Sequence, residues 1–488
     1  MSAELLRWAD ACILPGFDGP TAPDWLLRRI AGGVRGVVLY HGNMDGPEQL
    51  ADLTATLRAE NPDLLIGLDE EGGDVTRLHL AEGSPWPGNL ALGRADDLDL
   101  TRRTARAIGT RLAGLGVNLD LAPVVDVNTE SGNPVIGTRS FGSDPERVAA
   151  HSAAFVTGLQ STGVAGCAKH FPGHGSTTVD SHHDLPVVTE GRAEFEATAF
   201  PPFRAAVAAG VAAVMTAHIL LPAYDRVPAT VSRTLLTDVL RGRLGFQGAV
   251  ITDSLEMDAV HDRYGIAGTA VRAIAAGADG LCVGTHRGEA RARMLRTELA
   301  AAVTAGELPA ERLAEAAERI ARLADRARPG RCLTDDQDDI GMAAARRALL
   351  ADGLPELGEA PVVLEFQDEP TPAIGATAWG LGEVVAGRLP RARVVPVTDP
   401  AAPLPPLPAG GPVLAVVRDL HRHPATRAAV EALLAARPDT VLVEMGLPHH
   451  RPAAAAAYLA THGASRAGAL AAAELLLGRR PQRPAPPA

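Results

Sequence analysis

Aromatic side chains and cysteine are both scarce in this 488-residue sequence, at 3% and four residues. So few Trp and Tyr side chains argue against a long polysaccharide-binding face, which is built from aromatic platforms. The cysteines are far apart and three lie in apolar runs, so they indicate neither a disulfide framework nor a zinc site. They are Cys12, Cys167, Cys282 and Cys332.

Long basic runs and long apolar runs are also missing. The 46 Lys and Arg residues are outnumbered by 58 Asp and Glu residues, giving a net charge of -12, so the electrostatic footprint of a nucleic-acid or membrane-surface protein is absent. No stretch of about 18 apolar residues occurs without a charge, and the N-terminal sequence does not resemble a signal peptide. We expect a cytoplasmic protein with a small polar ligand.

Short apolar, β-branched runs alternate with helix-like segments from residue 10 to about 285. This alternation predicts βα units and a parallel sheet, and eight strands are the number that closes a TIM barrel. An open doubly wound sheet is the alternative, but no Gly-rich phosphate loop follows the first strand. The predicted strands are Cys12–Phe17, Val34–Tyr40, Leu64–Asp69, Val117–Val127, Val164–His170, Ala213–Ile219, Ala249–Asp253 and Gly280–Val283.

The pattern breaks at PGRCLTDDQDD, after a helix-like segment at Leu299–Arg328, and we place a domain boundary there. Residues 1–331 are assigned to the barrel and residues 340–480 to a smaller α/β domain. That domain has a helix-like AAARRALL, the apolar runs PVVLEF, GPVLAVV and DTVLVEM, and a closing helix at Arg466–Leu477. Residues 481–488 are predicted to be a disordered tail.

Polar side chains stand at the ends of five predicted strands. In a TIM barrel these ends meet at the catalytic face, and charged groups there cost desolvation energy unless they contact a ligand or one another. The pattern therefore predicts a shared polar site at the mouth of the barrel. The side chains concerned are Asp69, Asp126, Asn128, Lys169, His170, His218 and Asp253.

Four motifs occur at barrel-compatible spacing: LDEEGGDVTRL, GTRSFGSDP, KHFPGHGSTTVDSHHDLP and ITDSLEMDA. Together they resemble the N-terminal domain of the family 3 β-N-acetylglucosaminidases, over roughly residues 5–325. The later part of the chain, with RDLHRHP and VLVEMGLP, is similar to the flavodoxin-like second domain of longer members. The resemblance implies a retaining glycoside hydrolase that acts on short oligosaccharides or cell-wall and chitin-derived fragments, without a cofactor or metal.

The resemblance also implies roles for individual residues. Asp253 matches the nucleophile, His182 matches the general acid/base, and Asp180 would orient the imidazole of His182. A helix N-cap is the alternative role for Asp253, and Glu256 and Asp258 are the competing carboxylates. The positions that hydrogen-bond sugar hydroxyls match Asp69, Arg139, Lys169, His170 and, less closely, His218, and a structural ion-pair network is the alternative for the charged ones.

Other functions remain open at this stage. A β-glucosidase or a β-N-acetylglucosaminide phosphorylase would share the fold, although the Asp-Ser-His dyad is unusual in the β-glucosidases. A metal-dependent barrel hydrolase is a different class, as is a catalytically inactive sugar-binding protein. The metal ligands would be His170, His174, His182, His183 and Asp184, but the HxH pair expected on the first strand of such barrels is missing.

Overall fold

The computed structural model describes residues 2–328, 338–355, 357–369, 371–408 and 411–478. These residues form two compact units. The first contains the chain up to Glu71, Leu98–Ile136 and residues 140–328, and the second contains Gly72–Asp97, Gly137–Arg139 and the residues from 338 onward. The predicted tail at 481–488, Cys332 and most of the predicted boundary segment lie outside the described residues, and the predicted domain limits stay predictions.

The first unit is built on eight short parallel strands. Strands two to seven are neighbours in sequence order, the first pairs with the eighth, and a bridge from Ile251 to Gly280 joins the seventh to the eighth. The predicted α/β barrel is confirmed. Its strands are β1 (Ile13–Pro15), β2 (Gly36–Val38), β3 (Leu65–Leu68), β4 (Leu119–Asp120), β5 (Ala165–Phe171), β6 (Ala213–Thr216), β7 (Ala249–Thr252) and β8 (Leu281–Val283).

Most observed strands are shorter than predicted. The fourth shrinks from Val117–Val127 to two residues, since Pro123 has no N–H to donate to a ladder. Cys12 ends the first helix instead of starting a strand. In this described part of the chain, no hydrogen-bonded ladder joins β1 to β2. Gly36 of β2 instead lies directly against Leu14 of β1.

Helices separate the strands, as βα units require. Some begin where the sequence supplies a suitable cap or first residue; for example, Asp144 accepts a hydrogen bond from the Glu146 N–H at 3.1 Å and Pro145 follows it. The α-helices are α1 (Ala3–Cys12), α2 (Asp24–Gly32), α3 (Pro47–Glu60), α4 (Asn89–Ala95), α5 (Leu98–Gly114), α6 (Pro145–Gln160), α7 (Arg192–Ala208), α8 (Asp258–Ala276), α9 (Gly288–Thr304), α10 (Ala310–Arg326), α11 (Asp338–Ala348), α12 (Gly382–Arg388), α13 (Pro424–Ala436) and α14 (Arg466–Leu476).

Successive residues of one barrel strand belong to different cores. Val250, for example, packs with the helices outside the barrel, whereas Ile251 points into its interior. Ile320 and Leu323 of α10 join the interior core. Because apolar side chains fill the interior, polar groups are left for the carboxyl ends of the strands. None of the described helices combines the length and apolar character that a bilayer crossing needs.

The second unit contains a six-stranded sheet in which only β9 runs antiparallel to its neighbour. Three of its strands match predicted apolar runs, while β9, β11 and β14 were not predicted. β9 is fully exposed, whereas the short apolar run of β11 is interrupted by Pro396 and only Val397 in it is buried. The strands are β9 (Leu350–Asp352), β10 (Val362–Phe366), β11 (Arg393–Val397), β12 (Val413–Val417), β13 (Val441–Glu444) and β14 (Ala457–Ala460), in the order β11-β10-β12-β13-β14-β9.

Candidate active site

The carboxyl ends of the barrel strands carry most of the predicted site residues. Asp69 directly follows β3, and Lys169 and His170 lie near the end of β5. His218 follows β6 by two residues and Asp253 directly follows β7. Because the strands are parallel, these side chains lie at the same end of the first unit.

Lys169 is a buried cation held between two carboxylates. Its Nζ lies 2.6 Å from Asp69 Oδ1 and 2.7 Å from Glu71 Oε1, and its side chain is only 2% exposed. A buried ammonium group is stable only when it is paired in this way. The pairing fixes the position of Asp69, which remains partly exposed at 18%.

His170 is oriented by Asp126. Its Nδ1 lies 2.7 Å from Asp126 Oδ2, and the same carboxylate accepts the backbone N–H groups of His170 and His174. Burial pushes the pKa of Asp126 upward, but the facing histidines and their hydrogen bonds outweigh burial and hold this pKa below its ordinary value. Asp126 is therefore an anion that binds the Nδ1 edge of the His170 ring, so the Nε2 edge of the ring faces away from Asp126.

His174 stabilises the loop after β5. Its Nδ1 lies 2.7 Å from Thr177 Oγ1 and its Nε2 lies 3.1 Å from Ser181 Oγ. Burial lowers the pKa of His174 to about 4, so the ring is neutral at pH 7. Both ring nitrogens therefore form hydrogen bonds within this loop, which also carries the predicted acid/base, His182.

His182 and Asp180 form a hydrogen-bonded pair in that loop. The Nδ1 atom of His182 lies 2.6 Å from Asp180 Oδ1, which also accepts the His182 backbone N–H at 2.9 Å. Burial acts to raise the pKa of Asp180, but its hydrogen bonds to His182 outweigh this and lower it. An anionic Asp180 keeps a proton on Nδ1, which leaves Nε2 as the atom suited to proton exchange.

Asp253 is a half-buried carboxylate whose Oδ1 accepts the Ser254 N–H at 2.7 Å. Burial acts to raise its pKa, but the interactions with His218, His170 and His182 and the hydrogen bond from the Ser254 N–H outweigh burial, so the pKa of Asp253 lies below its usual value. An anion in this place has the charge state that a nucleophile needs.

The alternative readings of this segment do not fit the structure. Helix α8 has Met257 as its N-cap, so Asp253 does not cap it. Glu256 is ion-paired with Arg291, and Asp258 is exposed at the first position of the helix. The pKa of Asp253 is lowered by the histidines of the barrel end, whereas burial raises the pKa of Glu256.

The ring of His218 is held from both sides. Its Nδ1 lies 2.7 Å from Thr230 Oγ1 and its Nε2 lies 2.9 Å from the carbonyl oxygen of Ser254. The sequence does not reveal these bonds, because Thr230 and Ser254 are remote along the chain from His218. With both nitrogens engaged, His218 is placed to position the turn that carries Asp253.

Arg139 belongs to the second unit, in a 3₁₀ turn at Gly137–Arg139. The residue is buried, and its carbonyl oxygen accepts a hydrogen bond from Asn89 Nδ2 at 2.7 Å. Its contact with a sugar stays a prediction.

The first unit does not gather the proposed metal ligands into one site. The ring nitrogens of His174 are engaged by Thr177 and Ser181, and His183 and Asp184 are exposed. Within the described ranges, the one group with metal-compatible spacing is Asp258, His261 and Asp262, all exposed at the start of α8. Exposed acidic groups of this kind are common on protein surfaces without an ion.

Comparison with known proteins assigns the family. Residues 22–323 match the model of the glycosyl hydrolase family 3 N-terminal domain. The chain belongs to glycosyl hydrolase family 3. This confirms the family resemblance of the four motifs and their reading as parts of one glycoside hydrolase.

Individual known proteins are similar over half of the chain or more. A β-hexosaminidase from Chromobacterium violaceum is 37% identical over 340 residues, which cover 67% of this chain and 92% of that protein. One from Stenotrophomonas maltophilia is 39% identical over 249 residues, covering 50% and 73%. The solved structure of a family 3 β-N-acetylglucosaminidase from Paenibacillus sp. str. FPU-7 matches with a TM-score of 0.87 and 30% identity, covering 97% of both chains.

Proposed function

We propose that this family 3 chain is a retaining β-N-acetylglucosaminidase that removes terminal sugars from short oligosaccharides, with Asp253 as nucleophile and His182 as acid/base. The names of its relatives support the sugar specificity. The observation that carries the mechanism is the 2.6 Å hydrogen bond between His182 Nδ1 and Asp180. It supports this role because an anionic Asp180 favours the proton on Nδ1 of His182 and leaves Nε2 for proton exchange.

In the first step, an Asp253 oxygen forms a bond to the anomeric carbon while the bond from that carbon to the leaving oxygen breaks. The His182 imidazolium donates its Nε2 proton to the leaving oxygen. Asp180 stabilises the imidazolium beforehand, as the Asp of a serine-protease triad does. The product is a glycosyl-enzyme ester and a neutral His182.

In the second step, neutral His182 takes a proton from water through Nε2. The water oxygen bonds to the anomeric carbon and the ester bond to Asp253 breaks, which restores the carboxylate. Two inversions give net retention. Asp69, Lys169 and His170 are proposed to hold the sugar hydroxyls through charge-assisted hydrogen bonds.

The test compares 4-nitrophenyl β-N-acetylglucosaminide with the matching β-glucoside on wild type, Asp253→Ala and Asp258→Ala. We expect activity on the first substrate and a loss of about a thousandfold or more in Asp253→Ala, because the covalent intermediate cannot form. Asp258→Ala is the matched control, since it removes an exposed carboxylate five residues away, and it should keep wild-type activity.

Labelling with a 2-fluoro or 5-fluoro sugar identifies the nucleophile independently. The label should appear on the peptide with Asp253, and a label on Glu256 or Asp258 would overturn the assignment. Preference for the β-glucoside would overturn the sugar specificity but keep the family. The cytoplasmic location expected from the sequence stays a prediction.

A further inference from the structure

The second unit contains a cavity of about 450 Å³ at the carboxyl ends of β10 and β12. Gln367 and Asp368 follow β10 into its wall, and Arg418 follows β12. Strands β10 and β12 are neighbours, but the strand that follows β10 in the chain, β11, lies on its other side. The strand order therefore reverses here, and crevices at such switch points are where doubly wound sheets bind ligands.

A fixed cluster forms one side of the cavity. Arg418 donates through Nε to Asp368 Oδ2 at 2.7 Å, and its Nη2 lies 2.7 Å from the same oxygen. Its guanidinium lies 4.8 Å from the centre of the Trp379 ring. The Arg418 side chain is only 6% exposed, so the three groups hold each other in place before any ligand arrives.

The second oxygen of this carboxylate, Asp368 Oδ1, is buried and has no hydrogen-bond partner among the residues that the structure describes. Leaving a buried acceptor unsatisfied is costly, on the order of 1–3 kcal/mol for an ordinary polar group. This unsatisfied acceptor belongs to a residue of the cavity wall, where a small turn of the carboxylate would offer it to a ligand hydroxyl or N–H.

Anionic ligands do not suit the cavity. The usual anion position of such a crevice is the start of a helix, and here Glu365 occupies it, with Oε1 accepting the N–H groups of Leu381 at 2.7 Å and Gly382 at 2.6 Å. Glu82 and Glu383 add two more acids, so the described lining holds four acids against two cations, Arg418 and Arg466. A phosphate group would meet carboxylates where it needs donors.

We propose that this cavity is a non-catalytic binding site for a short uncharged saccharide. The ligand donates a hydroxyl hydrogen to Asp368 Oδ1 and packs against the indole of Trp379. Hydroxyl donors, an apolar ring face and no charge are the properties that this lining selects. The site is built entirely from residues of the second unit, so it does not depend on the proposed chemistry of Asp253.

The experiment titrates the full-length protein with N-acetylglucosamine and, separately, with glucose, following heat and tryptophan fluorescence. N-acetylglucosamine is a product and is not consumed. We expect two classes of site for at least one of the sugars. In Asp368→Asn and in Trp379→Ala, one class should weaken about tenfold or more while kcat and KM on the nitrophenyl substrate stay at wild-type values.

Asp439→Asn is the matched control, because it also breaks an Asp–Arg pair of the second unit, with Arg437, but at an exposed place outside the cavity. It should keep both classes of site. Thermal unfolding of each variant separates a lost site from a lost fold, and Trp379→Phe should restore part of the binding if Trp379→Ala unfolds the unit.

Binding of a single sugar per chain, or two classes that persist in both cavity variants, would overturn the proposal. AMP and inorganic phosphate are the opposing probes. Saturable binding of either that is lost in Asp368→Asn would show an anion site and reject the saccharide.

Discussion

The Nε2 atom of His218 lies 2.9 Å from the carbonyl oxygen of Ser254, the residue immediately after Asp253. A carbonyl oxygen only accepts, so Nε2 carries the hydrogen, and Nδ1 then faces Thr230 Oγ1. Burial lowers the pKa of His218, which keeps the ring neutral. The histidine thereby fixes the backbone on which the nucleophile stands.

His218→Ala should lower kcat by about tenfold or more and change KM much less, because a displaced Asp253 loses alignment chiefly in the transition state. Steady-state kinetics on the nitrophenyl substrate measures both constants. His218→Gln should recover part of kcat, since its amide can still donate to the Ser254 carbonyl. A raised KM with unchanged kcat would instead support the sugar contact predicted from the sequence.

His182→Ala should reduce the rate most on substrates with poor leaving groups, because general-acid help matters least when the departing oxygen is already a stable anion. Asp180→Asn should cost less, since the imidazole remains. A series of aryl N-acetylglucosaminides with leaving groups of different pKa measures the trend, with His183→Ala as the exposed control in the same loop. Equal losses across the series would make His182 a structural residue.

The sequence predicted the barrel better than the hydrogen-bonded network at its mouth. Apolar runs located all eight strands because buried parallel strands need continuous apolar residues. Lys169 and Asp69 are 100 residues apart, and no local pattern predicts which acids a buried cation will meet. The exposed edge strand Leu350–Asp352 was not predicted, because a strand with no buried face needs no apolar pattern in its sequence.

Acid should destabilise the protein partly through His174. Burial lowers its folded-state pKa to about 4, below the ordinary value near 6.5, so the unfolded chain binds the proton first. The contribution is fully present above pH 6.5 and is lost as the pH falls from about 6.5 to about 4, by about 3 kcal/mol in all. Urea unfolding at several pH values should show a shallower pH dependence in His174→Gln than in wild type. His183→Gln, at an exposed position, should match wild type, and parallel curves for all three proteins would contradict the assignment.

Phosphate should compete poorly with water for the glycosyl-enzyme. A histidine that has given up its proton is neutral and does not repel an anion, which leaves phosphorolysis physically open. Asp180, however, keeps a negative charge 2.6 Å from the His182 ring. Reactions in phosphate and in an uncharged buffer at equal ionic strength should give N-acetylglucosamine as the main product in both. A sugar 1-phosphate as the main product, formed faster with more phosphate, would replace hydrolase with phosphorylase.

Strands β1 and β2 meet in the barrel wall without a hydrogen-bonded ladder, and Gly36 contacts Leu14 at this junction. A Cβ added at Gly36 would lie 2.5 Å from Leu14 Cδ2 and 3.2 Å from Leu65 Cβ. Dispersion contacts of this kind are indifferent to salt and pH but lose their attraction within a fraction of an ångström. The cylinder is therefore joined at this junction by side-chain packing and not by a ladder, and one extra methyl group at Gly36 would force the Leu14 side chain to shift.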